Sequence, residues 1–340
     1  MKPIVLPANG VPRFYLGGPE IARLRGDEPA GERVPEDWVG STTTVFGEDE
    51  LGLSRLADGR LLRDVMAADP VAFLGPQHAA GRGADPGLLV KLLDAGERLP
   101  VHVHPDDAFA REALRAPYGK SEAWIVVATT RPDARVAAGF RDEVPADQLE
   151  RWVREQDHDA LLGALNPLRV RVGDAVFVPA GTPHAIGAGV LIVELQQPTD
   201  LSILLEWEGF GIADEDEATL GLGWDVALAC VDRGACDAEA LRGANAARDG
   251  AATRLLPGAA DAFFRAERLA PAPVTRLEQG FAIVVLVEGS GALVPDGGEP
   301  IALRRGDSVL VPWEAGACEL EGDLVAIACR PAPPAEPPPP

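Results

Sequence analysis

The sequence predicts a mainly β fold, a barrel or sandwich of short strands with helical insertions, followed by a second, smaller β-rich unit. Three observations predict it. From Leu88 onward, short runs rich in β-branched and aromatic residues are separated by Gly, Pro and Asp, the pattern of an all-β domain. The longest uninterrupted apolar stretch, Phe281 to Val287, is seven residues, far short of the ~20 needed to cross a bilayer. And 340 residues with 46% hydrophobic content supply about two domains' worth of packed core at roughly 150 residues each.

In chain order, residues 1–85 are rich in Gly and Pro and read as an irregular lead-in that packs on something else, with one helix over Leu61 to Ala67. Strands are then expected at Leu88 to Leu93, Leu99 to His104, Ala123 to Ala128, Leu168 to Val172, Ala175 to Val178, Val190 to Gln196 and Leu201 to Trp207. Two helices interrupt them: Asp106 to Arg115, opened by an Asp pair suited to capping, and Ala146 to Leu165, with apolar residues at helical spacing. A third helix, Gly223 to Arg233, leads into an Ala/Gly/Arg-rich linker ending near Gly250. Beyond it, Phe263 to Leu269, Ala282 to Glu288, Ile301 to Arg304, Ser308 to Val311 and Leu324 to Cys329 form the second β unit. The run from Pro331 to Pro340 should join neither sheet nor helix. The expected division is therefore 1–250, 251–332, and a Pro-rich tail at 333–340.

Charge narrows the function. With 31 Lys+Arg against 53 Asp+Glu the net charge is −22, which repels phosphodiester backbones and anionic membranes, so neither nucleic acid nor membrane is an expected partner. Residues 1–6 offer no signal-peptide core before Pro7, and the expected compartment is the cytoplasm, where Cys230, Cys236, Cys318 and Cys329 read as buried thiols. There are only three lysines, Lys2, Lys91 and Lys120, the other cations being arginine. A lysine retained inside such a chain suggests a task arginine cannot do, because only lysine gives up its proton in proteins.

The chemistry concentrates in two motifs. His102 and His104 lie two residues apart, which on a strand aims both imidazoles at one point. Gly96 to His104 has the spacing G-x5-H-x-H and Gly173 to His184 has G-x5-P-x-G-x2-H, together the two half-signatures of the cupin (jelly-roll) barrel. Glu122, opening the strand after the first helical insertion, is the carboxylate that completes such a set. Three imidazoles and one carboxylate suit one divalent ion of Zn, Mn, Fe, Co or Ni, with positions left for substrate. His78 and His158 read as solvated surface residues. Gly306 to Pro312 repeats G-x5-P, but no histidine follows His184, so the second unit reads as a cupin-like domain without a metal site.

From about Leu88 to Glu208 the chain resembles the class I mannose-6-phosphate isomerases in their short bacterial form, through VKLLDAGERLPVHVHPDD, GKSEAW and VFVPAGTPHAIGAGVLIVELQQPTD. The resemblance implies a Zn site in which His104, Glu122 and His184 are ligands and His102 stands where the family has Gln. That substitution restores the general cupin set and admits Mn, Fe or Co. The family pattern Gln-Asn-Ser-Asp-x-x-Tyr-Arg is here Gln197 to Leu204, so Asp200 is kept but the active-site arginine position is Leu204.

The implied activity is conversion of mannose 6-phosphate to fructose 6-phosphate through an enediol. Lys120, two residues before Glu122, is the candidate base, because burial beside a cation makes a neutral amine accessible; the competing reading is a structural ion pair with Glu122 or Asp200. Asp200 is assigned to proton transfer or hydroxyl recognition, on the expectation that the strand continues past Pro198 and keeps it in phase with Glu194 and Gln196, which are assigned either to sugar contacts or to the support of the groups that make them. Lys91 is either an inner polar contact or an ion-pair partner. Leu204, together with the lack of any arginine between Arg171 and Arg233, keeps open an isomerase or epimerase of an unphosphorylated sugar. A non-catalytic sugar-binding cupin, or a dioxygenase if the ion is Fe, is the reading from another class.

Overall fold

The computed structural model describes residues 1–244, 252–271 and 273–334. Two antiparallel sheets face one another. One runs in the order Gly10–Val11, Glu36–Val39, Leu89–Ala95, Val190–Gln196, Glu122–Thr129, Ala175–Val178; the other runs Ile203–Leu204, His102–Val103, His184–Ile186, Arg135–Phe140, Leu165–Arg169. Side chains alternate across a strand, and Val190–Gln196 uses both of its faces. Val190 and Ile192 pack between the two sheets with Trp124, Val136 and Ile186. Leu191, Val193 and Leu195 point the opposite way, onto a third, eight-stranded sheet. At the end of the strand Glu194 and Gln196 take over the inward positions, and there the apolar core gives way to a polar chamber.

The third sheet is built mainly from the C-terminal residues and is buried on both sides. Ile283 and Val285 face the barrel, while Ala282, Val284 and Leu286 line a separate core with Val309, Leu320 and Ala326. This explains why Phe281 to Val287 is continuously apolar without being a membrane segment. On the outer face of the five-stranded sheet, Val101, Val103 and Ala185 pack against Leu149, Val153 and Leu161 of two helices. Among the described residues no helix is long and apolar enough to cross a membrane, and the four cysteines are free, two buried and two half-buried.

Several elements depart from their sequence patterns. The single helix expected over Ala146 to Leu165 is two, Ala146–Arg154 and His158–Ala164, because Gln156 adopts a φ of 50° and the Asp157 side chain then caps the second by accepting from the Ala160 N–H. The strands expected at Leu99 to His104 and Leu201 to Trp207 shorten to His102–Val103 and Ile203–Leu204. The helix at Gly223 to Arg233 is one turn, Trp224–Ala227, with a 3-10 turn after it. Pro331 does join a sheet: it closes strand Cys318–Pro331 opposite Phe264, where a residue without an N–H can still offer its carbonyl. His78 is buried, its Nε2 2.7 Å from the Asp85 carbonyl, and His158 is half-buried near Phe210. The linker from 245 to 250 and the tail from 335 to 340 lie outside the described residues.

The largest departure is the lead-in. Residues 1–85 are not merely irregular: Gly10–Val11 and Glu36–Val39 extend the six-stranded sheet, and Ile4–Val5 pairs with Ser308–Val311 of the C-terminal sheet. Glu36–Val39 is EDWV, a strand with two buried acids, which local propensity disfavours. Their partners make it possible. Asp37 pairs with Arg25 at 2.5 Å. Glu36 accepts from Trp38 Nε1 at 2.6 Å and from the Tyr15 hydroxyl, with Lys91 Nζ at 3.4 Å and Arg13 Nε at 3.6 Å.

Burial alone would raise the Glu36 pKa, but Lys91 and Arg13, with the two hydrogen bonds, bring it down to about 2. A carboxylate whose folded pKa lies below its unfolded value contributes stability above the unfolded pKa, near 4.5, and loses it as pH falls toward 2. Glu36→Gln should therefore lower unfolding free energy by about 3 kcal/mol at pH 7, and the gap to wild type should narrow at pH 3, as denaturant unfolding at the two pH values will measure.

Candidate metal centre

The three motif histidines converge where the two sheets separate. His102 is paired in register with His184 across the five-stranded sheet, and His104 follows one residue after the end of the His102–Val103 strand. Their ring centroids lie 5.1 Å apart for His102 and His104, 4.1 Å for His102 and His184, and 4.8 Å for His104 and His184. Glu122 comes from the opposite sheet, with Gln196 beside it in register.

Backbone carbonyls set the orientation of all three rings. His102 Nδ1 lies 2.8 Å from the Pro100 carbonyl, His104 Nδ1 2.8 Å from that of Leu201, and His184 Nδ1 2.7 Å from that of Thr182. A carbonyl only accepts, so each Nδ1 donates, and in a neutral imidazole that leaves Nε2 as a lone pair. Burial, with His184 and His104 close by, pushes the His102 pKa well below the usual histidine range; burial and Lys120 bring His104 to about 3. His102 and His104 are thus neutral imidazoles in their ligating form. One ligand nitrogen from each can be drawn within 4.8 Å of the others.

The carboxylate supplies the test of fit. Glu122 Oε2 is 3.0 Å from His104 Nε2, and Oε1 is 3.2 Å from His184 Nε2 and accepts from Trp124 Nε1 at 2.9 Å. The nitrogen–oxygen contacts set lone pair against lone pair, an arrangement that a cation between them turns into attraction. Glu122 Oε2 and His184 Nε2 are buried without a hydrogen bond, as expected of atoms whose partner is an ion. Burial would raise the Glu122 pKa, yet the charge of Lys120 beside it holds it well below the carboxylate range. His102, His104, Glu122 and His184 therefore fit one divalent ion, and their chemistry does not choose among the metals.

Lys120 stands beside this set, its Nζ 3.0 Å from both His104 Nε2 and Glu122 Oε2. Glu194 faces the same chamber with Lys91 Nζ at 3.6 Å; burial and the charge of Glu122 push its pKa up to about 8, against the pull of Lys91. Gln196 is buried but turns its amide to the loop, donating to the carbonyls of Thr199 and Gln197. Asp200 does not share a strand with them, because Val190–Gln196 ends before Pro198. It reaches the chamber from a loop, gripped in bidentate fashion by Arg13 at 2.9 and 3.2 Å. Leu204 forms part of the chamber wall.

Sequence reasoning missed Arg13, Tyr15 and Glu36. The signal that could have found them is Gly96, the first glycine of the G-x5-H-x-H half-signature: a Cβ there would run into the carbonyl of Gly17. That close approach seats the segment carrying Arg13 and Tyr15 against the barrel mouth. In the C-terminal sheet, Gly306 to Pro312 is followed by a 3-10 turn at Trp313–Ala315 that packs on Gly75.

No family model matches the chain. It is 29% identical over 248 residues to a mannose-6-phosphate isomerase of Streptococcus mutans, covering 71% of this chain and 73% of that protein. With a mannose-6-phosphate isomerase of Bacillus subtilis it shares 27% identity over 237 residues, 69% of this chain and 72% of the other. Among solved structures, the Bacillus subtilis mannose 6-phosphate isomerase superposes with a TM-score of 0.77 at 23% identity, covering 97% of this chain and all of that one. A variant of the Salmonella typhimurium phosphomannose isomerase gives 0.74 at 17%, covering 98% of this chain and 100% of that one. In sequence the chain is therefore similar to mannose-6-phosphate isomerases, and it shares the fold of their solved structures.

Proposed function

We propose that the protein is a metal-dependent aldose–ketose isomerase that interconverts mannose 6-phosphate and fructose 6-phosphate. The observation that carries the reading is the buried set of three imidazoles and one carboxylate with an amine 3.0 Å from two of its members. Isomerisation removes the C2 proton, passes through an enediol, and returns a proton to C1, while O2 loses its proton and O1 gains one; no outside oxidant is needed. A divalent ion held by His102, His104, Glu122 and His184 supplies a Lewis acid for the oxygens on which charge develops.

The residues around it have separate tasks. Lys120 is the group assigned to take and return the proton, since it is the amine nearest the ligand set and it is buried. Asp200, fixed by Arg13, accepts hydrogen bonds from sugar hydroxyls at the chamber's mouth. Glu194, whose pKa burial and the charge of Glu122 push up, faces the same chamber and can meet a sugar hydroxyl beside its partner Lys91. Gln196 supports the loop that carries Asp200. Charge also bears on the substrate: Arg13, Lys91 and Lys120 stand among Glu36, Glu122, Glu194 and Asp200, and a divalent ion would shift that balance by two positive charges in a protein whose net charge is −22. That favours an anionic sugar. The second reading, an unphosphorylated sugar, draws on Leu204, an apolar residue on the chamber wall where the related enzymes' pattern has arginine.

A coupled assay of mannose 6-phosphate against free aldoses, with Zn, Mn or Co supplied, decides between them; no turnover with any metal would sink the isomerase. Chelation should abolish activity and lower the melting temperature, because a ligand bound only by the folded state stabilises it, by about 4 kcal/mol at a thousandfold excess over Kd. His184→Ala should lose most of its bound metal in elemental analysis. Lys120→Ala should lower kcat about 100- to 10,000-fold while keeping its metal and its sugar binding; full activity in that variant would return Lys120 to a purely structural ion pair.

A further inference from the structure

The space around the ligand set is narrow, and two wider clefts open from it. Counted as space open to the centre of a water molecule, the inner chamber has about 40 Å³ and the clefts about 510 and 580 Å³. Forty cubic ångströms holds about three waters, so a hexose with its reacting carbons at the ligand set must extend its far end outward. Asp200 lines all three spaces, and Arg13 lines the chamber and the larger cleft. The Arg13–Asp200 pair thus stands at the neck through which the far end passes.

Arg13 has donors to spare there. A guanidinium carries five N–H groups. Two are engaged by Asp200, Nη1 at 2.9 Å and Nη2 at 3.2 Å. Nε is buried without a hydrogen-bond partner, 3.6 Å from Glu36 Oε1. The two carboxylates hold the guanidinium in place before any ligand arrives and leave one N–H on each of Nη1 and Nη2 for an incoming oxyanion. Leu204 lines both the chamber and the larger cleft beside Arg13, so an arginine at that position would project into the same space.

We propose that Arg13 is a specificity-determining residue: positioned by Asp200 and Glu36, its guanidinium binds the oxygen-rich group, a phosphate in preference to a hydroxyl, at the end of the sugar remote from the carbonyl. The N-terminal segment thereby supplies the cation that the Gln197–Leu204 segment lacks. This inference rests on the sugar-isomerase reading above.

The test compares wild type, Arg13→Lys, Arg13→Ala and the double variant Arg13→Ala/Leu204→Arg, each loaded with the same metal. kcat and KM are measured for mannose 6-phosphate and for mannose, alongside thermal unfolding and metal content. Lysine keeps the charge facing Asp200 and Glu36 but loses the fork. Arg13→Lys is expected to keep its metal and melt near wild type, yet raise KM for the phosphorylated sugar about 10- to 100-fold, the worth of one charge-assisted contact. kcat should fall less than KM rises, and the free sugar should be affected less than the phosphorylated one. The double variant should recover part of the loss seen in Arg13→Ala. Calorimetric titration of mannose 6-phosphate into Lys120→Ala, with and without Arg13→Lys, should give the same loss in Kd without turnover. Unchanged KM in Arg13→Lys, or equal losses for both sugars, would overturn the proposal and leave Arg13 as a prop for two carboxylates. If Arg13→Ala does not fold, the lysine variant decides alone. Absence of turnover by wild type with either sugar would remove the isomerase reading, and this inference with it.

Discussion

A charge stays inside a protein only when an opposite charge or a set of hydrogen bonds meets it at close range, and the mouth of this barrel gathers seven such groups. Lys91 links Glu36 to Glu194, Arg13 links Glu36 to Asp200, and Lys120 links Glu122 to the imidazoles. The network draws on the N-terminal segment, both barrel sheets and the loop after Gln196. No one of these segments could bury its charges alone. The fold at this end is therefore held by ionic complementarity, while the rest of the barrel is held by apolar layers on both faces of its strands.

Within that network the imidazoles are a special case. Each donates its Nδ1 proton to a carbonyl of its own or a neighbouring loop, and for His102 and His104 burial removes the option of a second proton. Pro100 and Thr182 each stand two residues before the histidine they orient, so the local backbone fixes two of the three rings and only His104 depends on a distant carbonyl, that of Leu201. That dependence couples the ligand set to the loop bearing Asp200. A displacement of the loop would be felt at His104, so substrate contacts at the neck and geometry at the centre are physically linked.

How much of this was legible depended on the range of the forces involved. His102, His104 and His184 could be read because the two-residue period of a strand and short motif spacings are local. Lys120 stood out through composition, since lysine is scarce here. The EDWV strand was illegible because its burial depends on Lys91, Arg13 and Arg25, and nothing in residues 36–39 announces those partners. Asp200 was placed in the right chamber for the wrong reason: strand parity was extended past a proline, whereas a salt bridge to a residue 187 positions earlier brings it in. The break at Gln156 was hidden because apolar spacing continues across it, and only the capping side chain of Asp157 marks the new helix.

The overall charge and the proposed substrate pull in opposite directions, and the structure reconciles them by range. A protein at −22 repels a sugar phosphate from afar, so electrostatic steering cannot be what brings this substrate in. Exposed charges more than about 8 Å from the ligand are screened at physiological salt, whereas the groups at the neck act in a partly dehydrated space where a fixed guanidinium counts for far more. Selection among sugars then falls to contacts made after entry. A chain that sets Arg13, Lys91 and Lys120 around the chamber and keeps most of its other cations away from it has put its recognition where screening cannot reach it. On that argument Arg13 matters more than the missing arginine at position 204, because what the substrate needs is a preorganised cation at the neck, whichever segment provides it.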